Sequence, residues 1–302
     1  MIRRVLLLFP TMLVVALITF TLAHLAPGSP FDRNEGKTST ATIERLERLY
    51  GFDKPLPEQF AIFLANAVRL DFGDSVTRQR PVAEILGQGI GTTAQLGVQA
   101  VILALLIALP LGVISALRQN TWVDYGSLFL ATIGTTIPNF VIGIFLIYFF
   151  AVTLRVLPIV GWGDIQHMIL PTIVLSLGSA AFLTRITRSS MLEAIRQDYV
   201  RTARSKGLRE QAVVVGHVMK NAMIPVATII GPVTAGLITG SFIVENLFSI
   251  PGIGREFVRS INQRDYPVIM ATTLLYALAI AVANLVVDLV YGLVDPRIKV
   301  AS

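Results

Sequence analysis

Six windows of this chain contain no Asp, Glu, Lys or Arg, and they constrain its fold more than any other feature. They cover 5–31 (27 residues), 85–117 (33), 125–154 (30), 165–184 (20), 221–244 (24) and 266–287 (22). The next longest such stretch, 59–68, has 10 residues. A helix needs about 20 mainly apolar residues to cross the hydrocarbon core of a bilayer, and a tilted strand only about 10. Each window is therefore read as a membrane-spanning helix, with every backbone polar group paired inside the segment. One such window also fits the buried core helix of a soluble protein; six in one chain do not.

The composition agrees. Only 15% of the residues are charged and 54% are hydrophobic, against roughly 25% charged in a typical soluble domain. Mean hydropathy is +0.69. These values exclude an ordinary soluble enzyme and a disordered chain. The net charge of +6 raises a nucleic-acid partner or a membrane, and its distribution favours the membrane. With the N-terminus cytoplasmic, the inner segments 1–4, 118–124, 185–220 and 295–302 hold thirteen basic and five acidic residues. The outer segments 27–84, 155–164 and 245–265 hold twelve basic and thirteen acidic ones. Lys and Arg concentrate on the cytoplasmic side of membrane proteins, so the charge is a topology signal and no nucleic-acid partner is needed. The first window also invites reading as a signal peptide, after Arg3 and Arg4. Its apolar run exceeds the usual h-region and no clear small-x-small site precedes Pro27-Gly28-Ser29-Pro30, so an uncleaved first span is expected. The fold class that follows is an all-α integral membrane protein. It has six transmembrane helices, both termini cytoplasmic, and an extracytoplasmic helical insert after helix 1.

That insert, 27–84, has its own helical pattern. Ser39 or Thr40 is placed to cap a helix with Ile43, Leu46, Leu49 and Tyr50 on one side and Gly51 at its end. Pro55 and Pro57 open a second helix. There Phe60, Phe63, Leu64, Ala67 and Val68 fall on one apolar face, which suits either a helix lying on the membrane surface or a platform for an external partner. Gly36-Lys37-Thr38 resembles the end of a phosphate loop, but Phe31 stands where that pattern needs glycine and no strand precedes it. H-E-x-x-H, G-x-S-x-G and G-x-G-x-x-G are absent. His24, His167 and His217 lack metal-ligand spacing. The chain has no cysteine, hence no disulfide, thiolate metal site or thiol nucleophile. No catalytic residue, metal ligand or resident cofactor is expected.

The segment 185–220 carries eight of the basic residues. Within it Ala203 and Gly207 are four apart, the spacing of one helical face. A face of small residues admits close approach of another protein; a basic cytoplasmic loop with incidental alanine and glycine fits the same spacing. The sequence Asp198-Tyr199-Val200-Arg201-Thr202-Ala203-Arg204-Ser205-Lys206-Gly207-Leu208, followed by His217 and Asn221-Ala222-Met223-Ile224-Pro225, resembles the cytoplasmic "EAA" loop of ATP-binding-cassette (ABC) importer permeases. The likeness is greatest to the first, B-type permease of the dipeptide, oligopeptide and nickel subgroup. It extends to Gly51-Phe52-Asp53-Lys54-Pro55-Leu56, Asp71-Phe72-Gly73-Asp74-Ser75, Leu170-Pro171-Thr172, Glu245-Asn246-Leu247-Phe248, Ser249-Ile250-Pro251-Gly252-Ile253-Gly254, Arg264-Asp265-Tyr266-Pro267 and Asp295-Pro296-Arg297. Arg201-Thr202-Ala203 stands where Glu-Ala-Ala is usual, and Pro225 follows Gly207 by 18 residues, as in the peptide subgroup.

The resemblance implies a single permease domain over 1–302, with 185–220 as its coupling loop. Asp198, Tyr199, Arg201, Thr202, Ala203, Arg204 and Gly207 are then the ATPase-coupling residues. It implies a second homologous permease, two ATP-binding subunits that hold ATP and Mg, and an extracytoplasmic substrate-binding protein. The location implied is a prokaryotic inner membrane. The chain itself is a transport subunit, not an enzyme, and di- or oligopeptides are the expected cargo; nickel, glutathione and oligosaccharides are the alternatives within the family. A stand-alone secondary transporter predicts internal repeats and midplane charges, and neither is clear.

Polar residues within spans are candidates for the translocation path, because burying them in hydrocarbon is costly. They are Asp288 and Asn284 on the last helix, Asn139 after Pro138, and Glu245 at the outer end of the fifth helix. Asp288 is also near enough to the inner end to reach the interface. Gly236 and Gly240 form G-x-x-x-G, which reads as a helix-packing face or as glycine backbone beside a peptide path.

Overall fold

The computed structural model describes residues 2–25 and 51–294, with side chains from 6–25 and 51–287. The predicted helix beginning at Ser39 or Thr40, the Gly36-Lys37-Thr38 triplet and Asp295-Pro296-Arg297 lie outside the described residues. Twelve α-helices follow in order among the described residues: α1 (Ile2–Leu25), α2 (Leu56–Val68), α3 (Val82–Leu117), α4 (Trp122–Thr136), α5 (Asn139–Leu146), α6 (Ile165–Ile195), α7 (Asp198–Ser205), α8 (Glu210–Val213), α9 (Lys220–Ile238), α10 (Phe242–Leu247), α11 (Ile253–Gln263) and α12 (Tyr266–Val294). A π-helical stretch, Ile147–Thr153, prolongs α5, and another, Val214–Met219, joins α8 to α9.

Five of the six charge-free windows coincide with helices long and apolar enough to cross a membrane: Leu6–Leu25, Val82–Leu117, Ile165–Ile195, Glu210–Leu247 and Tyr266–Val287. The window 125–154, expected as one helix, is instead α4 and α5 meeting at 107°. Proline supplies the cause. Pro138 has no N–H, and its ring disfavours α geometry at the residue before it. Ile137 accordingly sits at φ −85°, ψ 127°.

The chain divides into two compact units, one of residues 1–92 with 251–282 and the other of residues 93–250 with 283–301. In the first, Val82, Ile85 and Leu86 of α3 pack with Ile253, Val268 and Ala271, flanked by Phe72, Leu275 and Tyr276. A hydrogen-bonded clamp adds to this core. The buried Asp265 carboxylate accepts from Ser75 Oγ (2.5 Å), Thr77 Oγ1 (2.7 Å) and Thr77 N (3.2 Å), and Arg78 pairs with Glu256. The α2 helix begins where Pro55 and Pro57 placed it. Phe60, Phe63, Leu64 and Ala67 are half-buried and Val68 is exposed, with Phe60 against Phe20 of α1.

In the second unit, Leu96, Ala100 and Ala104 of α3 meet Leu170, Val174, Leu175 and Ala180 of α6, together with Leu237, Val244, Phe248 and Ile250. Small residues allow the close approach, as in other membrane helices. A Cβ on Gly97 would lie 2.5 Å from Ile238 Cα and 2.5 Å from Leu237 O; one on Gly134 would lie 2.8 Å from Ala181 Cβ. Gly97→Ala therefore pushes a methyl into backbone, and overpacking of this kind costs about 1–3 kcal/mol. Gly236 has no atom within 4 Å of its Cβ position. Thermal scans of the detergent-solubilised protein should show a clearly lower midpoint for Gly97→Ala and an unchanged or higher one for Gly236→Ala.

Candidate functional site

The segment 185–220 is mostly helical. α6 continues to Ile195, Gln197 turns the chain through an extended conformation (φ −73°, ψ 151°), and α7 begins with Asp198 in its first turn, where a carboxylate complements the helix dipole. Lys206 N donates to Thr202 O (3.1 Å) and Gly207 N to Arg204 O (2.9 Å). Gly207 then takes φ +77°, the left-handed helix stop that glycine accommodates without strain.

Two α7 residues three apart, Val200 and Ala203, turn inward. They share a core with Ala116 of α3, Met191 and Ala194 of α6, and Val213, Val214, Val218 and Ala222 of the following helices. Asp198, Tyr199, Arg201, Thr202 and Arg204 remain exposed. Arg204 makes a two-pronged contact with Glu210 (3.1 and 2.6 Å), which holds its pKa above the ordinary value. Arg201 Nη1 lies 3.6 Å from Asp198 Oδ1. The expected small-residue face of Ala203 and Gly207 does not form. Ala203 is 4% exposed, while Gly207 lies past the last helical residue with nothing within 4 Å of its Cβ position. Spacing gave both residues one face; the helix ends before the second of them.

The path candidates are not one cluster. The carboxylate of Glu245 is fully buried, accepts from Thr93 Oγ1 at 3.0 Å, and has its Oε1 2.7 Å from where a Cβ on Gly240 would stand. Gly240 itself lies at φ +77° just beyond α9. The G-x-x-x-G reading is thereby corrected: Gly236 is on the helix and uncovered by this chain, whereas Gly240 makes the turn into α10. Asn139 begins α5 half-buried, with Oδ1 3.3 Å from the Cβ position of Gly178 on α6. Asn284 is exposed on α12. Asp288 is a helical position whose side chain lies outside the described residues. Among the described residues, no three His, Asp or Glu side chains are grouped to hold a metal ion.

One polar constellation was missed. Asp124 at the start of α4 is 1% exposed. It accepts from Arg188 Nε (2.6 Å) and Nη2 (2.7 Å), Ser115 Oγ (2.5 Å) and Asn120 N (3.0 Å). In the sequence both residues border charge-free windows and fall within the segments 118–124 and 185–220, counted on the cytoplasmic side. A signal was available: Arg188 follows 165–184 within one helical turn, with no glycine or proline between to end the helix.

Two family models together match almost the whole chain. "Binding-protein-dependent transport system inner membrane component" matches residues 108–300, and the N-terminal component of the same system matches residues 1–102. The chain is 44% identical over 300 residues to the dipeptide transport system permease protein DppB of Bacillus subtilis, covering 99% of this chain and 97% of the relative. It is 41% identical to the oligopeptide transport system permease protein AppB of the same organism, covering 99% of this chain and 98% of AppB. To the glutathione transport system permease protein GsiC of Escherichia coli K12 it is 40% identical, with 99% and 98% covered. An amino acid ABC transporter solved with histidines shares the fold at a TM-score of 0.56 and 16% identity, over 72% of this chain and 95% of that one. The MetNI methionine ABC transporter in inward-facing conformations matches at 0.52 and 18%, over 68% and 96%. On these matches the chain belongs to the inner-membrane permease family of binding-protein-dependent ABC transport systems.

Proposed function

We propose that this chain is one of two permease subunits of an ATP-driven importer of short peptides. The reading rests on full-length likeness to permeases named for dipeptide, oligopeptide and glutathione transport; glutathione is itself a modified tripeptide, so the three cargoes share a peptide backbone. The chain crosses a prokaryotic inner membrane six times, with α4 and α5 as one bent crossing and both termini cytoplasmic, in keeping with the Lys and Arg distribution. A second permease completes the path. Two ATPase subunits hold ATP and Mg, and an external binding protein delivers the cargo.

In this reading α7 is the coupling helix. Its inward Val200 and Ala203 fix it to the body of the permease. Its outward Asp198, Tyr199, Arg201, Thr202 and Arg204 enter the ATPase cleft, and Gly207 shapes its end. Asn139, Gly236, Glu245, Asn284 and Asp288 remain path candidates, with Gly240 the hinge that seats Glu245. The assembled complex in proteoliposomes, given ATP and its binding protein, should take up labelled di- and tripeptides. Uptake of nickel ions without peptide uptake would overturn the cargo.

Because the chain lacks cysteine, topology is directly readable. Val68, 84% exposed at the end of α2, should react as Val68→Cys with an impermeant thiol reagent on intact cells, and Ser205→Cys should not. The reverse pattern would invert the orientation. Gly207→Leu forces a branched residue into the left-handed region, at about 1–2 kcal/mol; a loss of 1.4 kcal/mol in an interface weakens it tenfold. Co-purification of the ATPase should fall for Gly207→Leu, while Gly207→Asn, which tolerates that conformation better, should stay near wild type.

A further inference from the structure

We propose that Asp124 and Arg188 are a positioning pair for transport: they lock α4 to α6, so that displacement of α7 reaches the bent α4–α5 element as movement of one body. The inference rests on the reading of α7 as the coupling helix.

The first link is the seat of α7. Val200 and Ala203 share a core with Met191 and Ala194 of α6, so α7 cannot move far without the end of α6. The second link is one turn back on α6. Arg188 grips Asp124 with a two-pronged contact (2.6 and 2.7 Å), while Ser115 of α3 and the Asn120 amide occupy the remaining faces of the carboxylate. Donors from α3, the turn after it and α6 converge on one buried group. The third link is the antiparallel seam that follows, in which Arg185 donates to Thr132 Oγ1 (2.8 Å) and Gly134 abuts Ala181. Beyond Thr136 lies the break at Ile137–Pro138, and past it Asn139 stands over Gly178, still on α6.

The chemistry of the pair suits transmission better than adhesion. Apolar helix contacts tolerate sliding and small rotations, whereas a guanidinium fork on a carboxylate has one good geometry. Buried ion pairs often contribute little net stability relative to apolar replacements of similar volume. Register is therefore the property that this pair adds, and it can be removed without removing the packing.

The test uses the assembled complex, with basal ATPase, ATPase stimulated by loaded binding protein, peptide uptake and thermal midpoint measured together. Arg188→Lys keeps the charge and loses the fork. Asp124→Leu with Arg188→Met replaces the pair by apolar groups. In both, assembly and basal ATPase should stay within about twofold of wild type while peptide moved per ATP falls roughly fivefold or more, the scale of ordinary coupling energies. Tyr199→Ala, on the exposed side of α7, should instead weaken ATPase association. If Tyr199→Ala weakens association but the apolar pair transports with wild-type stoichiometry, the positioning role is wrong and the coupling helix stands. The role also fails if Arg188→Lys lowers ATPase, uptake and thermal midpoint in the same proportion, which is the signature of a structural contact alone. If Tyr199→Ala leaves association and stimulation intact, the coupling reading fails and the pair's role goes with it.

Discussion

Hydrocarbon offers no partner to a peptide N–H or C=O, so every backbone group in the membrane must be paired within the protein. That constraint makes the long helices, and it makes each interruption informative. At the end of α9 the chain stops being helical at Thr239, and its groups are re-paired locally. Gly240 N donates to Leu237 O (2.9 Å), Glu245 N to Ser241 O (2.9 Å), and Ser241 Oγ accepts from Val244 N (3.4 Å). Glycine is required because the turn needs positive φ and because Thr93 and Glu245 crowd the position a side chain would take. At the α4–α5 break, proline removes a donor and α5 restarts with Val141 N donating to Pro138 O (2.9 Å). Both breaks lie in the second unit, and each re-pairs part of its backbone within the turn.

The same constraint explains what was legible in the sequence. Charge-free length located all the long helices, because hydrophobic length is a property of the segment alone. The break at Pro138 was not legible. Pro110, Pro171, Pro225 and Pro232 also stand inside apolar windows and their helices continue through them. Whether a proline bends or breaks a membrane helix depends on what re-pairs the freed carbonyl, and that is tertiary. Asp124 and Arg188 were misread for a related reason. A charge beside a span reads as a solvated loop residue until its partner, 64 positions away, is placed next to it. Ala203 and Gly207 failed differently: the four-residue spacing was right, but the helix that would give it meaning ends at Ser205.

Sequence motifs that were separate in the chain turn out to be halves of one contact. Asp71-Phe72-Gly73-Asp74-Ser75 and Arg264-Asp265-Tyr266-Pro267 entered as independent points of resemblance. In the first unit Ser75 and Thr77 place their hydroxyls on Asp265, Phe72 packs against the cluster that includes Val268 and Ala271, and Arg264 takes the left-handed conformation (φ 56°) that ends α11. The two motifs close one clamp. Ser75 and Asp265 are buried and paired with each other, with Thr77 closing the exposed side; a satisfied polar cluster of this kind rigidifies a structure and specifies one arrangement.

Three buried carboxylates, Asp124, Glu245 and Asp265, are each 1% exposed or less, and each receives a hydroxyl from a Ser or Thr outside the helix it lies in or adjoins. Two of these hydroxyls belong to α3: Thr93 serves Glu245 and Ser115 serves Asp124. Thr93 and Ser115 are 22 residues apart, about 33 Å of helix axis at 1.5 Å per residue. That is close to the roughly 30 Å of the hydrocarbon core. The two acids therefore hold α3 at two points that far apart along its axis, and between them it packs mainly through leucine, alanine and glycine, with a hydrogen bond from Thr172 Oγ1 to Gln99 Oε1 (3.2 Å). Helix packing in lipid has no hydrophobic effect to hold register. Fixing α3 at these two points with directional bonds supplies that register, and leaves Gly97 and Gly112 opposite the backbone and side chain, Ile238 and Thr187, that their missing side chains accommodate.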